Sequence, residues 1–133
     1  MLVAVPMVIL PAYRTLTQLH DGVNSQVYRA QHKDTKQLVI LKLLKNDYPT
    51  QSQLARYRKE YNLTRQFNSN RIIKTYGLEE HQRKLVMVLE DFGGLSLKEW
   101  RIQESRDILS IQRFLDIAIQ ITESISELHS NKI

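Results

Sequence analysis

Lys42 and Glu60 are the two residues of this sequence whose chemistry is out of place. Lys42 interrupts QLVILKLLK at residues 37–45, a run otherwise suited to a strand buried on both faces. Strand side chains alternate between faces, so Lys42 points the same way as Leu38, Ile40 and Leu44. An ammonium in such company is costly unless an anion meets it. Glu60 is the counterpart on a helix. On the 3.6-residue period, Leu54, Tyr57, Tyr61, Leu63, Thr64 and Phe67 fill one half of the helix, and Glu60 falls near the middle of that arc. Ala55, Arg58, Lys59, Asn62, Arg65 and Gln66 fill the other half, and Arg56 stands at the edge, where it can snorkel. A strand cation and a helix anion, each on an apolar face, can neutralise one another. The pair is then either a structural ion pair of weak net stability, or a device that holds Lys42 toward a bound anion.

The elements that must position this pair follow from the pattern. Tyr13–Leu19 and Val27–Gln31 read as two strands of a hairpin joined by the polar loop HDGVNSQ. HKDTKQ is a second turn, leading into the Lys42 strand. Thr50-Gln51-Ser52-Gln53 has the capping-box pattern and opens the Glu60 helix, which extends to Phe67. Ile72–Leu78 reads as a strand, EEHQRK as a turn and Leu85–Leu89 as a fully apolar strand. Glu90 to Gly94 form a flexible link. Ser96-Leu97-Lys98-Glu99 is a second capping box for a short helix through Trp100, itself a packing residue. Ser110 caps a long helix from Ile111 to about His129, whose stripe of Ile111, Phe114, Leu115, Ala118, Ile121, Ile125 and Leu128 is wide enough to want covering by further protein.

Length and composition suit one α+β domain or part of one, with 133 residues, 42% of them hydrophobic. The absence of cysteine excludes disulfides and thiol chemistry and fits a reducing cytoplasm. The net charge of +5 is uneven: residues 51–84 hold eight Lys/Arg against three acids, residues 85–133 five against eight. A basic nucleic-acid binder is one reading of that middle, but no run of Lys/Arg exceeds two and no aromatic surface is interleaved, so a solvated helix face is expected, with no nucleic-acid partner. The apolar opening Met1–Leu10 is too short to span a bilayer and lacks a leader's basic start, so it reads as a short apolar tail or a first strand, residues 1–12 being set apart as a tail, with Met7 a second candidate start and no membrane partner. His20, His32, His81 and His129 have no ligand spacing, and Asn62-Leu63-Thr64 is a glycosylation sequon by pattern only.

A glycine-containing hairpin, a strand Lys, a helix Glu and a link after the fifth strand together resemble the N-terminal lobe of a protein kinase, over essentially residues 13–133. VILK at Val39–Lys42 is similar to the V-A-I-K strand; Glu60 matches the Glu of helix αC; LVMVLEDFGGLSLKEW resembles the fifth strand, hinge and helix αD; the long last helix resembles αE. The resemblance implies a five-stranded antiparallel sheet with one helix at 13–92 and the start of a second lobe at 93–133. It further implies ATP as the ligand, with Lys42 on the α- and β-phosphates, Val27 and Ile40 on adenine, Leu89 as gatekeeper and the backbone of Glu90 and Phe92 on the adenine edge. Three departures matter. His20, Gly22 and Ser25 stand at the three Gly positions of the phosphate loop, so only Gly22 survives; Ile40 replaces the Ala at the adenine roof; and the chain stops where the H-R-D-x-x-x-x-N loop would begin. A kinase domain truncated before its base Asp and its Mg ligands is therefore expected, with a non-catalytic pseudokinase-like interaction module as the alternative. The wording HDGVNSQVYRA, LEDFGG and QITESISELHSNKI is most similar to the serine/threonine kinase domain that opens large bacterial signalling proteins of the two-component type, whose other modules, with a protein substrate, are the implied partners.

Overall fold

The structure, a computed structural model, describes residues 8–67, 69–94 and 111–130. The expected helix at Ser96–Trp100, the Ser110 cap and the first seven residues lie outside them. The described residues form two compact units, one of residues 8–67 and 73–91, the other of residues 69–72, 92–94 and 111–130. None of their helices is long and apolar enough to cross a membrane.

The first unit is a five-stranded antiparallel sheet with one helix. Its strands are β1 (Tyr13–Asp21), β2 (Ser25–His32), β3 (Leu38–Leu44), β4 (Thr75–His81) and β5 (Lys84–Glu90), and helix α1 (Gln51–Thr64) falls between β3 and β4 in the chain. The sheet order is β1-β2-β3-β5-β4, which puts the Lys42 strand in the centre. Alternation sorts the side chains into two layers. On one face Tyr28, Ala30, Val39, Leu41, Leu43, Val86 and Val88 are closed off by Ile9 and Leu10. Those two residues therefore belong to the core rather than to a loose tail. On the other face Tyr57 of α1 meets Leu85 and Met87, with Leu44, Leu54, Tyr61, Leu78 and Leu89 around them.

Several boundaries differ from those read in the sequence. The loop HDGVNSQ shrinks to three residues because β1 and β2 pair as far as Asp21 and Gln26. β4 starts at Thr75, not Ile72, because the preceding residues bind elsewhere: in the second unit Arg71 meets Glu123 at 3.2 Å, and Ser69 Oγ donates to Glu127 at 2.8 Å. β4 and β5 run on through EEHQRK, joined only by Gln82 and Arg83, both at positive φ (50° and 66°). Asn-Gly usually marks such a turn, and this sequence lacks it. His32 holds the other turn, its Nδ1 accepting from the N–H groups of Asp34 and Thr35 at 3.2 Å.

Helix α1 starts as its sequence dictates. Thr50 Oγ1 accepts from Gln53 N at 3.1 Å and Gln53 Oε1 accepts from Thr50 N at 2.9 Å, a complete capping box. It ends at Thr64, three residues early, as Gln66 and Phe67 turn back onto Leu63 and Thr64. Thr50→Ala should lower the unfolding free energy by about 1 kcal/mol. Urea denaturation checks this, and an unchanged midpoint would mean the cap contributes nothing.

The second unit contains helix α2 (Ile111–Ser130). Ser124 Oγ donates to Arg71 O at 3.3 Å, so one polar flank of α2 is tied to residues 69–72. Ile111, Phe114, Leu115, Ile119, Ile121 and Ile125 are exposed among the described residues.

Candidate functional site

Lys42 and Glu60 meet. Lys42 Nζ lies 2.7 Å from Glu60 Oε1, with 27% and 44% of the two side chains exposed. That exposure corrects the sequence reading of both residues. The fully buried run of β3 is Val39, Leu41 and Leu43, whereas Leu38 is exposed and Ile40, Lys42 and Leu44 are half-open. Glu60 likewise lies on an exposed flank, not in the arc that Tyr57, Tyr61 and Leu54 turn to the sheet. A pair this open contributes at most about 1 kcal/mol. Its value is positional.

Tyr57, one turn before Glu60, fixes where the strand end of the pair stands. Its hydroxyl donates to Lys42 O and accepts from Met87 N at 2.8 Å, and Lys42 and Met87 are cross-strand partners. One phenol thus ties α1 to both central strands. Burial pushes its pKa well above the ordinary phenol value, with Glu60 adding to the rise and the Met87 N–H opposing it. The helical period gave Tyr57 as an apolar residue and carried no sign of this bridge.

Cross-strand pairs share a face, so the register collects the other expected residues. Val27 pairs with Lys42, Ile40 with Leu89, and Lys42 with Met87, so Val27, Ile40, Lys42 and Leu89 all stand on the α1 side of the sheet. Glu90 ends β5 fastened to Lys74: its N–H donates to Lys74 O at 2.9 Å, and its Oε2 accepts from Lys74 N at 3.1 Å. Phe92 is exposed and opens the second unit.

The hairpin above Lys42 is closed. Gly22 N donates to Ser25 O at 2.9 Å, and a Cβ at Gly22 would come within 2.6 Å of the His20 ring. Lys45 pins this turn to the end of β3, with Nζ 2.8 Å from Asp21 Oδ1 and its N–H on Asn24 O at 2.9 Å. The Lys45 ammonium, with help from Gln26, holds the Asp21 carboxyl below the usual range. Beneath the turn a cleft of about 250 Å³ is lined by Asn24, Ser25, Lys42, Gln53, Arg56 and Glu60.

A further ion pair was not legible in the sequence. Arg29 of β2 grips Asp91 through Nε–Oδ2 at 2.7 Å and Nη2–Oδ1 at 3.3 Å, with the Asp91 side chain only 3% exposed. Asp91-Phe92-Gly93 spells the D-F-G of a kinase metal site, yet its carboxylate serves the exit of β5. Among the described residues no group of three or more His, Asp or Glu could hold a metal.

The protein kinase domain model matches residues 13–133. Among curated proteins the chain is 27% identical over 122 residues to serine/threonine-protein kinase PrkC of Bacillus subtilis (strain 168), covering 91% of this chain and 18% of that protein. It is 26% identical over 121 residues to serine/threonine-protein kinase TIO of Arabidopsis thaliana, covering 91% of this chain and 9% of that protein. The chain thus spans under a fifth of the length of either relative.

Proposed function

The chain belongs to the protein kinase domain family, and from that premise we propose that it serves as the ATP-binding portion of a serine/threonine kinase domain. In this reading residues 13–92 are the nucleotide-facing lobe and residues 93–133 begin the second lobe. The observation that carries it is the 2.7 Å contact of Lys42 with Glu60, on the sheet face shared with Val27, Ile40 and Leu89. That face offers aliphatic side chains to an adenine and an ammonium to its phosphates. Glu60 holds Lys42 extended, so orientation is prepared before the ligand arrives. In this reading the backbone of Glu90 and Phe92 meets the adenine edge, and Ile40 narrows the roof above it.

The reaction is transfer of the terminal phosphoryl group of Mg-ATP to a protein hydroxyl, with Mg neutralising charge on the phosphate oxygens when bound. No His-Arg-Asp loop occurs among the 133 residues. The 133 residues alone are therefore expected to incorporate no phosphate. The partners are a protein substrate and other modules of a larger signalling protein, and the setting is the reducing cytoplasm that a cysteine-free chain fits.

A thermal-shift titration tests the nucleotide reading. Mg-ATP should stabilise the wild type, and Lys42→Met should weaken that binding about tenfold, as loss of one charge-assisted contact does. A wild type that Mg-ATP leaves unmoved would sink it. The closed Gly22 turn favours one other reading, a pseudokinase-like interaction module, and that null titration is its expected result.

A further inference from the structure

We infer that Arg56 is a second phosphate-binding residue of this site, taking over part of the work that a closed glycine turn cannot do. The inference rests on the ATP-binding reading. Lys42 and Glu60 are in contact at 2.7 Å, so their formal charges cancel where they meet. Arg56 lines the same cleft and takes part in none of the ion pairs found among the described residues. It is therefore the cation that leaves the cleft net positive.

The backbone above the cleft is already committed. Gly22 spends its N–H on Ser25 O, and Lys45 holds Asp21 and Asn24 in place. Opening this turn to cradle a phosphate would break all three contacts. Side chains are left to do the binding, and a guanidinium suits it. Its planar fork donates two parallel hydrogen bonds to phosphate, which an ammonium cannot. Arg56 also lies one helical turn before Glu60, on the same flank of α1. The helix that orients Lys42 thus carries the second contact on the same rigid element. The ligand class is a nucleoside di- or triphosphate, with Arg56 on the outer phosphates and Lys42 on the inner ones.

Calorimetric titration with ATP, ADP, adenosine and inorganic tripolyphosphate tests the assignment. Arg56→Gln should weaken ATP about tenfold, ADP less and adenosine not at all, and Arg56→Lys should recover part of the loss. Arg56 is exposed, so its substitution should leave the unliganded melting temperature unchanged. Arg58→Gln, on the opposite half of the helix, should bind ATP as the wild type does. If it weakens ATP as much as Arg56→Gln, the effect is diffuse charge and the inference is overturned. ATP affinity unchanged in Arg56→Gln but lost in Lys42→Met overturns it too, and leaves the kinase reading standing. Tripolyphosphate that binds as tightly as ATP would make this an anion site indifferent to the nucleoside, which also overturns it. A wild type that binds neither ATP nor ADP removes the premise and the inference together.

Discussion

Leu41→Ala should lower the unfolding free energy by about 3 kcal/mol. Leu41 is 0% exposed and sits at the middle of the central strand, opposite Tyr28 on β2 and Val88 on β5. Its neighbours come from both adjacent strands and from the residues that close the face, Ile9 and Leu10. Removing most of the side chain forfeits its transfer from water and leaves a cavity that three hydrogen-bonded strands cannot readily collapse. The loss is a large share of the stability of an ordinary domain. Urea denaturation with an unchanged slope is the measurement. A loss below about 1 kcal/mol would mean the site relaxes as no well-packed core does. Because Leu41 and Lys42 point to opposite faces, the proposed ATP-binding reading expects equal Mg-ATP affinity in the folded variant and the wild type.

Tyr57→Phe is the second large effect, at about 2 kcal/mol. The ring stays and the packing with it, but Met87 N loses its acceptor at a buried position and Lys42 O its donor at a half-buried one. The variant carries a pH signature as well. Burial holds the Tyr57 pKa above the ordinary phenol value of about 10. Below about pH 10 both folded and unfolded chains keep the proton, and the contribution is complete. Above it the unfolded chain releases its proton first, so stability falls as pH rises toward the folded pKa. Tyr13 and Tyr28 are shifted the same way by burial, so the wild type should lose stability through all three phenols. Tyr57→Phe should therefore lose less between about pH 9 and about pH 11. Parallel losses in the two proteins would mean that the hydroxyl is not buried in its bridge.

The charges that break a pattern were the legible part of this chain. Lys42 in an apolar strand and Glu60 on a helix named each other without coordinates, and they meet. What the pattern could not give was depth. Val39, Leu41 and Leu43 look no more buried in sequence than Leu38 and Ile40, and only the packing of Ile9 and Leu10 decides which face closes. The capping box at Thr50 was legible because its signal is local and chemical. The Gln82-Arg83 turn was not, because neither residue favours the positive φ that the sheet imposes. Ile72 and Ile73 read as strand by propensity, whereas contacts made by their neighbours with α2 decide the start of β4. Arg29 and Asp91 are ordinary surface types 62 positions apart, and no periodicity joins them. The Tyr57 bridge was hidden for a similar reason: a period reports a face, not what a hydroxyl finds there.

The sheet order has a kinetic consequence. β1, β2 and β3 are successive neighbours, so that meander closes through short turns. β3 and β5 are neighbours only after α1 and β4 have been looped out between them, and long closures are slow. The Lys42–Met87 register, with Tyr57 bridging it, should therefore form late, after the barrier to folding. Tyr57→Phe would then speed unfolding and scarcely slow refolding. The phenol bridge that joins α1 to both central strands would be among the last contacts to form and among the first to break.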